Sequence, residues 1–265
     1  MTQTLAIANQ KGGVGKTTTC VNLAASLVAN GRRVLVVDLD PQGNATVGSG
    51  VDKDAVEWSN YDLLMGQAPV ESVRCQALKG GFDLLPGNAD LTAAEVALVG
   101  EGEGRERHLL DALAPIRDQY DHILIDCPPS LNVLTVNAFV AADRVLIPIQ
   151  CEYYALEGLS ALLNTIARIQ QTVNPALEIE GLVRTMFDGR NNLANQVGAQ
   201  LDTHFSGQVY RTLIPRNVRL AEAPSHGLPV LQYDRSSAGA VAYMALASEL
   251  LRRQRAGKPQ VGGRS

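Results

Sequence analysis

The sequence predicts one doubly wound α/β domain, a mostly parallel sheet with helices on both faces. Short apolar runs recur along the chain without polar alternation, as strands buried on both faces require. Stretches of helical character separate most of them, which is the spacing that parallel strands need for their crossovers. Of 265 residues, 46% are hydrophobic and only 19% charged, enough apolar surface for one sizeable core, so a disordered chain is excluded.

Taken in order, Thr4 to Ala8 is the first apolar run, followed by a glycine-rich stretch, a helical pattern from about Lys16 to Asn30, and the run Val34 to Val37. Further strand-like runs lie at Phe82 to Leu85, His122 to Ile125, Arg144 to Ile149, Gly181 to Met186 and around Val209 to Ile214. Residues 43 to 60 and 99 to 106 are polar and glycine-containing, and read as loops rather than linkers. One domain is therefore expected over residues 1–251. The remaining residues 252–265, RRQRAGKPQVGGRS, carry five basic residues and no acidic one; with their Gly and Pro they read as a basic, frayed tail.

Composition also narrows the function. Cys20, Cys75, Cys127 and Cys151 contain no C-x-x-C pair and His108, His122, His204 and His226 no metal-ligand spacing, so neither a disulfide framework nor a zinc site is expected. No apolar run approaches the roughly 18 residues of a membrane span, and the start MTQTLAIANQ lacks the pattern of a secretory signal. A cytoplasmic protein with no membrane partner follows. The net charge of −4 gives no overall attraction to nucleic acid, so polyanion binding would need a local basic patch.

The chemistry begins at Lys11-Gly12-Gly13-Val14-Gly15-Lys16-Thr17-Thr18, which follows a strand and opens a helix. Glycines let backbone N–H groups turn toward a phosphate, the helix N-terminus adds positive potential, and Lys16 can reach the β and γ oxygens of a nucleotide. Thr17 would offer its hydroxyl to Mg2+. The standard G-x-x-x-x-G-K-[ST] pattern has Gln10 at its first glycine and an additional lysine at Lys11. Two later strands end in acids. Val36-Val37-Asp38-Leu39-Asp40 places two carboxylates where open α/β sheets bind ligands, and Ile123-Leu124-Ile125-Asp126 ends in a carboxylate suited to a magnesium site.

With these motifs the sequence resembles the deviant Walker A ATPases, which include ParA, MinD, the nitrogenase iron protein and the arsenite-pump ATPase. The matching stretches ANQKGGVGKTTT, VDLDPQGNAT, IDCPPSL, Glu152-Tyr153-Tyr154-Ala155-Leu156-Glu157-Gly158 and IPRNVRLAEAPSHG are most similar to the short chromosomal ParA proteins, also called Soj, over about residues 3 to 250. The resemblance implies ATP and Mg2+ as cofactors. It implies that Lys11 reaches the partner's phosphates across a homodimer formed with ATP, that Asp40 positions the hydrolytic water, and that Asp38 supports the metal's outer shell. A second cation acting in trans is physically reasonable, since an arginine finger works in the same way. The same resemblance makes Pro215 and Asn217 the adenine contacts, and Cys127-Pro128-Pro129 a switch that responds to the γ-phosphate.

It further implies nonspecific binding to double-stranded DNA through Arg190 and Arg219, a ParB-type centromere-binding partner that stimulates hydrolysis, nucleoid association, and a role in moving chromosome or plasmid copies apart. Arg252, Arg253, Arg255 and Lys258 could extend the DNA face, or simply be solvated at a helix end. The chain begins directly at its first strand, so the operator-binding module of longer plasmid ATPases is not expected. Rival readings lack residues to support them: a MinD-like membrane ATPase needs a terminal amphipathic helix, an iron–sulfur carrier needs cluster cysteines, and a phosphotransferase needs an acceptor pocket.

Overall fold

The computed structural model describes residues 2–76 and 78–256. Six parallel strands form one sheet: β1 (Gln3–Ile7), β2 (Val34–Asp38), β3 (Asp83–Leu85), β4 (His122–Asp126), β5 (Arg144–Gln150) and β6 (Glu178–Thr185), in the order β3-β2-β4-β1-β5-β6. β1 lies at the centre and the chain winds outward on both sides, which places a crevice at the carboxyl ends of the strands.

The helices are α1 (Lys16–Ala29), α2 (Asn44–Gly48), α3 (Asn60–Leu64), α4 (Val70–Val73), α5 (Leu91–Gly100), α6 (His108–Leu113), α7 (Val133–Ala141), α8 (Ala155–Thr172), α9 (Asn192–His204), α10 (Val218–Glu222), α11 (Val230–Tyr233) and α12 (Ala238–Ala256). Alternate strand residues serve two separate cores. Leu5, Val36 and Leu124 pack with α1 and α12 on one face, while Ala6, Val37 and Ile125 pack with α7 and α8 on the other. This two-sided burial is why the strands read as uninterrupted apolar runs.

Register fixes the site. β2 pairs with β4 so that Asp38 stands opposite Asp126, and β1 pairs with β4 so that Ile7 stands opposite Asp126. Residues in register share a face of the sheet, so both acids lie on the α1 side with Val36 and Leu124.

Three expectations are corrected. The segment 209–214 is not a strand. It touches β6 only at its two ends, at the Leu182–Val209 bridge and where Ile214 N donates to Arg184 O at 2.9 Å, and Phe187 pairs with Pro215 beyond it. Between them the Glu249 carboxylate accepts hydrogen bonds from Arg211 N (3.0 Å), Thr212 N (2.9 Å) and Thr212 Oγ1 (2.8 Å), so a side chain takes the donors that a sheet ladder would need. The stretch 43–60 is not all loop, because α2 lies within it. And α12 runs past Leu251 to Ala256, held by Arg253, which stacks 3.9 Å from the Tyr210 ring centroid and donates to Val209 O at 2.8 Å. Lys258 and the rest of the tail from 257 to 265 lie outside the described residues.

Candidate nucleotide site

The glycine-rich loop spans the gap between β1 and α1. Gly13 and Gly15 take φ of +73° and +86°, a region that costs other L-residues roughly 1–2 kcal/mol, so glycine at these positions is a backbone requirement. Neighbouring strands hold the loop. Asn9 donates to Pro148 O of β5 at 2.8 Å and accepts from Lys11 N at 3.0 Å, while Thr185 at the end of β6 donates to Val14 O at 2.7 Å. No side chain caps α1 and no acid sits in its first turn, so its N-terminal N–H groups and positive dipole end face an anion site.

Lys16 is buried at this helix start, and its ammonium reaches Lys11 O at 3.3 Å. Burial pulls its pKa below the ordinary value, opposed by the fields of Asp126 and Asp40. A partly desolvated lysine aimed into the loop gains most from a phosphate that restores its counter-charge.

Thr17 donates to Asp126 Oδ2 at 2.6 Å, whereas the buried Asp126 Oδ1 has no hydrogen-bond partner. Asp38 is fully buried. Its Oδ2 accepts from Thr46 N at 2.8 Å and Thr46 Oγ1 at 2.7 Å, and its Oδ1 from Asp40 N at 3.2 Å. Burial raises the Asp38 pKa to about 6 despite those bonds. Burial and the adjacent Asp38 charge push Asp126 well up as well. Two buried acids in register, one with an orphaned oxygen, repel each other, and the Lys16 ammonium offsets this only in part. The residues therefore fit Mg2+: Thr17 offers a hydroxyl, and Asp126 and Asp38 offer outer-shell acceptors for metal-bound water.

Asp40 stands two residues beyond β2, 8% exposed, and accepts from Gln42 N at 3.0 Å. Lys11 is half-exposed and paired with Glu152, which follows β5. Gly12, Val14 and Thr18 complete the loop and first helical turn. Sequence reasoning placed no role on Thr46, Thr185 or the Glu152 carboxylate; each touches a motif residue only through tertiary packing, so no local spacing marks it.

Pro215 and Asn217 lie at the β6 side of the loop. Phe187 N donates to Ile214 O at 3.0 Å, two residues past Thr185, and Met186 between them takes φ +49°. Asn217 Oδ1 accepts from Leu220 N at 3.3 Å as the cap of α10. The open cleft of about 280 Å³ beside the first turn of α1 is lined by Thr17, Thr18, Asn22, Asn44, Val47 and Pro224, among others, and neither Pro215 nor Asn217 contributes to it. Arg190 and Arg219 are each already paired. Arg190 forks onto both oxygens of Asp188 (2.9 and 2.8 Å), and Arg219 contacts Glu222 at 2.8 Å and Asp234 at 3.3 Å.

A family described as an AAA domain matches residues 2–179. The chain is 52% identical over 253 residues to the chromosome partitioning protein ParA of Caulobacter vibrioides, covering 95% of this chain and 94% of that protein. It is 52% identical over 250 residues to the sporulation initiation inhibitor protein Soj of Bacillus subtilis, covering 94% and 98%. Among solved structures, a Mycobacterium smegmatis protein described as cobyrinic acid a,c-diamide synthase with bound ADP and magnesium is 40% identical over 97% of both chains, with a TM-score of 0.86. The cell division ATPase MinD of Pyrococcus furiosus is 27% identical, over 96% of this chain and 100% of that one, with a TM-score of 0.77. No helix among the described residues is long and apolar enough to cross a membrane.

Proposed function

The chain belongs to the ParA/Soj family of chromosome-partitioning ATPases, and from that premise we propose that it dimerises around two ATP molecules, coats DNA without sequence preference, and is released when a ParB-type partner stimulates hydrolysis. That it is an ATPase using ATP and Mg2+ follows from the family and from its neighbours. The observation that carries the site assignment is the pairing of an uncapped α1 N-terminus with the Thr17–Asp126 bond and the orphaned Asp126 oxygen.

Each residue's part follows from its environment. The loop amides and Lys16 bind phosphate oxygens and stabilise charge that develops on the transferring group. Thr17, backed by Asp126, and Asp38 would hold the magnesium, which would supply neutralisation of phosphate charge. Asp40 orients the attacking water and Lys11 acts on the partner's nucleotide, so Lys11 must exchange Glu152 for a phosphate as the dimer forms. Pro215 and Asn217 flank the adenine, where Asn217 keeps its amide N–H free to donate to a ring nitrogen while its oxygen caps α10.

DNA contact rests on Arg190 and Arg219. A dimer that brings both copies onto one face gathers four guanidiniums, and each exchanges its carboxylate partners for phosphates, which is how a chain of net charge −4 holds DNA. Nucleoid association and partitioning of chromosome or plasmid copies follow from the cycle of binding and release. The test is binding to nonspecific duplex DNA with ATP, ADP or no nucleotide at two salt concentrations. Binding with ATP alone, weakened by salt, is expected; no binding in any state would refute the DNA-matrix part and leave the ATPase standing.

A further inference from the structure

Away from the nucleotide site, a groove of about 440 Å³ opens between α3–α4 and α6. Its floor is apolar, formed by Leu63, Leu64 and Val70 with Met65 and Ala112 at the sides. Its walls carry acids facing from two different elements, Glu71 on α4 and Asp111 on α6, and no lysine or arginine lines it. Arg107 reaches Asp111 only at 3.6 Å, with both side chains more than half exposed, a contact that a better-placed cation displaces at little cost. An apolar trough between acidic rims is complementary to one kind of occupant, a short helix with an apolar face flanked by lysine or arginine.

Both walls are attached to the catalytic strands. Asn60, the first residue of α3, donates to Asp38 O at 2.8 Å and Leu85 O at 2.9 Å, and its own N–H donates to Pro86 O at 2.8 Å. One wall is thus bolted to the backbone of Asp38. On the other wall, Asn137 of α7 accepts from Leu109 N at 3.2 Å and donates to Arg105 O at 2.9 Å. α7 in turn starts at its cap Asn132, six residues after Asp126. His108 spans the groove's end, one ring nitrogen 2.8 Å from Leu64 O and the other 2.8 Å from the Glu101 carboxylate.

We propose that this groove is where a basic, apolar-faced helical segment of the partner protein docks, and that seating it shifts α3 against α6 and so acts on the Asp38 and Asp126 elements. This rests on the partitioning-ATPase reading and gives its stimulating partner a place on the surface. The probe is the purified ParB-type protein of the same organism, its binding followed by interferometry and its effect by ATP turnover. Glu71→Lys with Asp111→Lys should lower partner affinity about tenfold, near 1.4 kcal/mol, and raise about tenfold the partner concentration needed for stimulation, while basal turnover stays unchanged. Ala112→Phe, which fills the trough and keeps the acids, should do the same. Glu95→Lys with Asp118→Lys, an equal charge change outside the groove lining, should leave both intact. Normal stimulation of the two groove variants, or equal loss in the control, would overturn the docking site. A wild-type chain that hydrolyses ATP yet neither binds nor answers the ParB-type protein would instead overturn the partner reading, and the docking site with it.

Discussion

Asp38→Asn should change how the nucleotide-free protein responds to pH in a direction opposite to ordinary acid denaturation. The folded-state pKa of Asp38, about 6, lies above its ordinary value of 3.8, so between those values the folded chain holds a proton that the unfolded chain has released. Stability contributed by this group is therefore present at low pH and lost as pH rises through about 6. Two pKa units correspond to about 3 kcal/mol at neutral pH, of which roughly 1 kcal/mol is recovered by pH 5. His122, whose pKa burial lowers, runs the other way over the same range, as the unfolded chain gains a proton there first. The quantity to read is thus the difference between Asp38→Asn and wild type in urea unfolding at pH 7.5 and pH 5, without nucleotide. The variant should gain roughly 1 kcal/mol relative to wild type on going from the lower to the higher pH. Removing the Asp38 charge also relieves the adjacent Asp126, which that charge pushes up, and this acts in the same direction. A difference that does not change with pH would refute the claim that an uncompensated buried carboxylate sits at this position.

Lys16→Ala should abolish ATP-dependent dimerisation in sedimentation and lower turnover by at least about a hundredfold, the scale for losing a charge-stabilising donor; an unchanged ATP-dependent profile would remove Lys16 from the phosphate site. Asp40→Ala should accumulate an ATP-bound dimer that still holds DNA, seen by gel filtration with labelled duplex, whereas normal turnover would move water positioning elsewhere. Arg219→Glu should weaken DNA binding while sparing dimerisation, and Glu222→Gln, which removes one of the two carboxylates paired with that guanidinium, should strengthen it; equal loss of dimerisation in Arg219→Glu would mark the residue as structural. Glu249→Ala should cost about 3 kcal/mol in urea unfolding, because it strands the N–H groups of Arg211 and Thr212 and removes the ion pair to Arg253; a loss under about 1 kcal/mol would mean the 209–214 segment holds its course without it.

What the sequence made legible is what local pattern controls. Inside the sheet, β1, β2 and β4 each carry consecutive apolar residues without alternation, and the phosphate loop is a contiguous motif. The misread parts depend on distant partners. Val209 to Ile214 has a strand-like composition, yet midway along it the N–H groups of Arg211 and Thr212 go to a carboxylate 38 and 37 residues further along. α2 is a five-residue helix, too short to show a period, and it stands because Thr46 bonds Asp38. The last turn of α12 reads as a charged tail until Arg253 is seen lying on Tyr210. Likewise the Glu152 partner of Lys11, the bridge from Thr185 to the loop, and the Asp234 contact of Arg219 arise only when separate elements meet.

The pairing of Asp38 with Asp126 across β2 and β4 makes their spacing a property of the sheet itself. Adjacent strands sit about 4.8 Å apart, and a slip of one residue in either would turn its acid to the opposite face. The two carboxylates therefore serve as a stationary anvil. A residue inserted into either strand would part the pair, so the sheet holds the two carboxylates at a fixed spacing whatever the helices packed around them do.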